Sequence, residues 1–167
     1  MDTLILSQAA NFVIGLFVAL FACFAFFYIF ISASNAKILR MLEYKHAWIG
    51  WIPYLSYFAL ADATAEEGND TKIFDKFDIP NTAYKLWWVL LLIVVVFDSQ
   101  FAWIPTAFGL IVDTVFRIFF LGGAYAKAYS KIEKRSEKEK IGIALWSGAF
   151  PIVAAVKIMF YKKEQKQ

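Results

Sequence analysis

Asp113 and Arg117 are the residues of this chain best placed to do chemistry, because an acid and a base stand four apart inside the otherwise apolar run Thr106 to Tyr125. That spacing puts both on one helix face, and Thr106 and Gly109 continue the stripe toward the start of the run. An ionisable group in lipid is expensive and is kept for a function or for a partner. Two chemistries fit. Asp113 can be a proton or cation site whose pKa Arg117 sets, or the two can form an anion contact. Alternatively the two neutralise each other and fix the rotation of the helix. This structural reading is favoured, since an acid that already has its base needs no substrate.

A second set is Lys127, Lys131, Lys134, Arg135 and Lys138, which recur at three- and four-residue spacing. They predict that the preceding helix continues as a basic ridge able to hold anionic lipid headgroups, at about 1 kcal/mol per Lys or Arg. The interspersed Glu133, Glu137 and Glu139 fit a plain solvated face equally well. Catalytic classes fare worse. With one cysteine, Cys23, and one histidine, His46, no zinc, haem or iron–sulfur ligand set can be assembled from soft donors. A serine nucleophile needs a base, and nothing near Ser32, Ser34, Ser56 or Ser147 nominates one. The expectation is a non-enzyme without metal or cofactor.

These residues must be carried by membrane helices. Asn11 to Ile31 holds twenty-one residues without a charge, enough at about 1.5 Å per residue to cross a hydrocarbon layer of roughly 30 Å. The chain is 60% apolar and 19% aromatic, with 18 Phe, against about 45–50% apolar in soluble domains. A formal charge of +3 gives no reason to expect nucleic acid. Further candidate spans are 84–104, 106–125 and 141–160, the last holding Pro151 and Lys157. The stretch 48–61, interrupted at Pro53, is too short for an ordinary span. On the first helix Gly15, Ala19 and Cys23 form a small-residue stripe suited to close helix contact, within the chain or with another subunit.

Basic residues decide the topology, because cytoplasmic loops retain Lys and Arg. If 48–61 dips in and returns, the three long connections fall on one side, with twelve Lys/Arg against three in the tail. That gives four crossings and one re-entrant or interfacial segment. Within the loop after it, Ile73, Phe74 and Phe77 predict a helical apolar stripe on the membrane surface. Trp51-Ile52-Pro53 and Trp103-Ile104-Pro105 form a faint internal echo, which independent interfacial helix ends explain as well.

Ala47-Trp48 through Trp51-Ile52-Pro53-Tyr54, the pair Trp87-Trp88, and Ala126-Lys127-Ala128-Tyr129-Ser130-Lys131 followed by Ile141-Gly142-Ile143-Ala144-Leu145 resemble a family of small, uncharacterised bacterial polytopic membrane proteins. The resemblance implies a multi-pass protein of the bacterial cell membrane and no mechanism. Here the acidic stretch Asp62 to Asp78 is longer than in that family, and the charged run Lys131 to Lys140 replaces a brief connection. The reading is therefore an all-α polytopic bundle of one domain, 1–167. It is expected to be a scaffold or accessory subunit in contact with the bilayer and with a membrane-protein partner or a second copy. The alternative is a small transporter or channel protomer using Asp113 and Arg117.

Overall fold

The computed structural model describes the backbone of residues 2–100 and 106–161, and the side chains of residues 8, 11–93 and 109–161. It is mostly helical. Helix α1 spans Asp2–Met41. A short 3-10 turn over Ala47–Trp51 and helix α2, Leu55–Thr64, follow. Strands β1, Asp70–Ile73, and β2, Phe77–Pro80, pair antiparallel with Ile73 opposite Phe77. Then come α3, Asn81–Gln100, and α4, Thr106–Phe116, which continues through a π turn, Arg117–Leu121, into α5, Gly122–Glu133. A 3-10 turn over Glu137–Lys140 leads to α6, Ile141–Ala149, and α7, Pro151–Met159.

Long apolar runs make the long helices, and two of them, Asn11–Met41 and Gly109–Glu133, are long and apolar enough to cross a membrane. The run 141–160 is not a single span. Pro151 disfavours helical backbone at the residue before it, and Phe150 is extended (φ −130°, ψ 94°), which separates α6 from α7. Each has nine residues, about 14 Å.

The two helices fold back on each other. Lys140 before α6 and Lys157 near the end of α7 both reach Glu133. Ser34 and Lys37 of α1 meet Ala154 and Ile158 of α7, so α7 runs parallel to α1. At the turn, Gly148 lies so close to the long helix that a Cβ there would sit 2.8 Å from the Arg117 carbonyl and 2.7 Å from the Gly122 nitrogen.

The stretch 48–61 is likewise an out-and-back excursion. It rises along α1, where a Cβ at Gly50 would sit 2.5 Å from the Ala36 nitrogen and where Trp51 O accepts from Tyr28 Oη. It turns at Pro53 and Tyr54, the latter held at φ +61°, and comes back as α2. Its ends are tied: Tyr44 Oη donates to Asp62 Oδ2 at 2.9 Å, and Asp62 pairs with Lys85 at 2.7 Å.

Both excursions therefore start and finish at the end of the molecule that holds Met41, Asn81 and Glu133, here called the basal end. Their core is Ile38, Leu60, Tyr84, Trp87, Leu121, Tyr125, Tyr129 and Ile158, all buried. Trp87 lies between Tyr57 and Phe120, with ring centroids at 5.7 and 5.6 Å. Tyr125 donates to Asn35 at 2.9 Å, joining α5 to α1 inside this core.

The expected surface helix at 73–77 is instead the β-hairpin. Thr71 and Ile73 are buried while Asp70 and Lys72 are exposed, an alternation of period two that suits a strand. Phe74 and Phe77 both stand edge-on to Phe119.

Candidate functional site

The Asp113–Arg117 pair forms as the spacing predicts: Arg117 Nε donates to Asp113, with distances of 2.9 and 2.8 Å to the two carboxylate oxygens. It sits where α4 gives way to the π turn, a register change that often marks functional positions. One Arg117 Nη also lies 3.5 Å from Tyr57 Oη on α2, so the pair touches the turn of the first excursion. The second excursion meets the same level through Gly148. The side chains of Asp113 and Arg117 keep 31% and 27% exposure, so the pair is neither dry nor enclosed. Close by, Leu110, Ile111, Thr114 and Val115 line an open apolar hollow. Thr106 opens α4, but its side chain lies outside the described residues, as do those of Asp98, Ser99 and Gln100.

The larger charged cluster is basal, and two of its features correct the expected basic ridge. Lys127 is 6% exposed and faces inward. Its Nζ donates to Glu66 and lies 3.4 Å from Glu137, which is 8% exposed. Glu137 Oε1 also accepts the Phe74 N–H at 2.8 Å. One lysine thus joins the exit of the first excursion, the β-hairpin and the turn before α6.

The helix also stops early. Lys134 is left-handed (φ 52°) and ends it at Glu133. Lys131 lies near the end of that helix and donates to Ala63 O at 3.2 Å. Lys134, Arg135 and Lys138 are exposed, but past the break they continue no stripe. A densely charged run hides such an end, and the signal available was the lack of any apolar residue between Ile132 and Ile141 to anchor further turns.

Electrostatics in this cluster are uneven. The hydrogen bond and charge of Lys127 hold the Glu66 carboxyl below its ordinary value. Glu137 goes the other way: burial raises it, outweighing the opposing pull of Lys127 and the Phe74 N–H. Burial, with the Asp62 carboxylate beside it, pushes the Tyr44 hydroxyl up to about 12.

Lys157, near the end of α7, reaches the basal charges. It pairs with Glu133 at 2.6 Å and lies 4.6 Å from the centre of the Tyr129 ring, a cation–π arrangement. Sequence reasoning passed over Lys37, whose Nζ donates to the carbonyl of Ile158 at 2.7 Å and to those of Met159 and Tyr161 at 3.3 and 3.4 Å. It caps the end of α7, where free carbonyls gather negative potential. No signal in the sequence pairs a lysine with carbonyls so distant along the chain.

Among the described residues no group of His, Cys, Asp and Glu side chains could hold a metal ion. Comparison of the chain with protein-family models, with curated proteins and with solved structures finds no match.

Proposed function

We propose that this protein is a non-enzymatic integral membrane component, a scaffold or accessory subunit of a membrane assembly. The observation that supports this is the self-sufficiency of its charges. Lys127, Glu137, Glu133, Lys140 and Lys157, all less than a fifth exposed, are spent on one another and tie α5, the turn before α6 and α7 together. Groups committed in this way position helices, whereas a transport site needs an ionisable group open to its cargo.

Three crossings, by α1, α3 and the α4–α5 helix, fit the charge distribution better than four. Every described Lys and Arg except Arg117 then lies at the basal end, the cytoplasmic side by the retention of basic residues there. The bacterial cell membrane as location follows the resemblance carried by Trp51-Ile52-Pro53 and Trp87-Trp88.

A second reading has one observation in its favour: the Asp113–Arg117 pair stands partly exposed beside a π turn, at the level reached by both excursions. It makes the protein a small transporter or channel protomer. Purified protein in liposomes separates the two. The scaffold reading expects no ion or solute flux from the protein alone and recovery of a defined membrane partner, or a homo-oligomer, after gentle solubilisation. Flux that disappears in Asp113→Asn overturns it.

A further inference from the structure

From the unequal thickness of its two ends we infer that this protein is a one-leaflet wedge, a component that prefers the convex face of a curved membrane. The inference rests on the three-crossing reading above.

Away from the basal end the molecule consists of three helical rods, α1 and the mutually packed α3 and α4. The aromatic side chains of α1 there stand open: Phe12, Phe17, Phe21 and Phe24 are 68–76% exposed. At the basal end the same cross-section also holds both legs of each excursion, the 47–51 turn with α2 and α6 with α7. Four additional helical legs about 10 Å across add on the order of 300 Å² to one leaflet. Nothing among the described residues at the other end balances them.

The excursions have the surface of inserted elements. From Ala47 to Ala61 and from Ile141 to Val156 there is no charged residue. They nevertheless expose Trp48, Trp51 and Leu55 in the first, and Trp146, Phe150 and Val156 in the second. Their depth agrees. The segment Asn11–Met41 has 31 residues, about 46 Å, which matches a bilayer of about 40–45 Å with its headgroups included. The excursions pack against α1 from Tyr28 to Lys37, about 6 to 20 Å from Met41, so they fill the basal leaflet from its headgroups nearly to the midplane. Elements confined to one leaflet enlarge that leaflet alone, which couples them to curvature. Exposed Arg40, Lys45, Lys134, Arg135 and Lys138 rim the same end, alternating with exposed Glu43, Asp75, Asp78 and Glu139, a mixed-charge rim suited to the headgroup layer.

The test uses the full chain carrying Cys23→Ser and Ser136→Cys, with a dye on residue 136 that an impermeant quencher can reach only from outside. It is reconstituted into small and large vesicles of phosphatidylcholine with phosphatidylglycerol. In small vesicles the outer leaflet is strongly convex, so molecules with the basal end outward should be enriched there by about twofold or more relative to large vesicles. Both orientations share one preparation, which cancels differences in folding and yield. Exchanging Trp51, Trp146 and Phe150 together for Ser, all exposed positions, should reduce the enrichment. An outward fraction independent of vesicle size, or an enrichment the triple variant leaves unchanged, overturns the wedge. A second dye at Asn69→Cys reports the topology separately: its quenching must follow that of residue 136, and opposite behaviour refutes the three-crossing reading instead.

Discussion

Removing the Lys127 ammonium tests most directly whether the basal charges are structural. In Lys127→Met the apolar stem is kept and the charge lost, which leaves Glu137 buried with the Phe74 N–H as its remaining donor. The two contacts of Lys127 should not count equally. Glu66 is 44% exposed, and an ion pair that open contributes about 0–1 kcal/mol. Glu137 is 8% exposed, and stranding one member of such a pair costs about 3–5 kcal/mol. The expected loss is about 3–5 kcal/mol, a fall in melting midpoint of about 6–20 °C for a chain of this size.

Glu137→Gln should cost clearly less, because its amide oxygen still accepts from Phe74 and Lys127 keeps Glu66. The double variant should recover much of the Lys127→Met loss, since no buried charge is then left alone. The pH dependence has a definite sign. A carboxyl raised on folding favours the folded state below its ordinary value, an advantage lost as pH rises through the raised value. The deficit of Lys127→Met should therefore be full at neutral pH and shrink as Glu137 takes up a proton. Glu66 works oppositely: held low by Lys127, it stabilises above its ordinary value, and that contribution fades as pH falls through the depressed one. Thermal melting in detergent across this range measures all of it. A Lys127→Met midpoint matching the parent, or losses that simply add in the double variant, would refute the reasoning.

Three further outcomes are expected. Gly148→Ala and Gly50→Ala force a methyl into backbone at 2.8 Å or less. Each should lower stability by about 1–3 kcal/mol in the same melts, whereas Gly142→Ala, with nothing within 4 Å, should not. In a Cys23→Ser background, cysteines at Asn69 and Ser136 should resist an impermeant thiol reagent in intact cells while one at exposed Gln8 reacts. Ser34 is useless as a reporter because it is 1% exposed, and labelling of residue 69 alone would restore a further crossing. Asp113→Asn and Arg117→Gln should each destabilise, and together should recover part of the loss, as a double-mutant cycle in detergent reads out. Strict additivity there would mean the two do not act as a pair.

What was legible in the chain is what depends on local chemistry. The first helix follows from twenty-one uncharged residues, and the Asp113–Arg117 contact from four-residue spacing on one helix. The break at Phe150 was also legible, since Pro151 restricts the residue before it, but length alone let 141–160 pass for a span. The β-hairpin was missed because Ile73, Phe74 and Phe77 satisfy a helical stripe, while the alternation of Thr71 and Ile73 covers only four residues. The second Trp-Ile-Pro, residues 103–105, lies outside the described residues.

The basal cluster could not be read in advance for a different reason. Lys127 sits at the spacing of a surface ridge, and its inward position depends on which segments surround it: Glu66 from one excursion, Glu137 from the turn before the other, and the β-hairpin between. Each partner alone looks like a solvated loop charge. Brought together they replace the water each has lost, which is the condition for a charge to survive with less than a tenth of its surface exposed. The same logic places Lys37 on the free carbonyls of α7 and Lys157 on Glu133. At the basal end the charge-free excursions depend on these ties: without Asp62, Glu133 and Lys37 at their feet, short apolar helices of nine or ten residues have little to hold them in register.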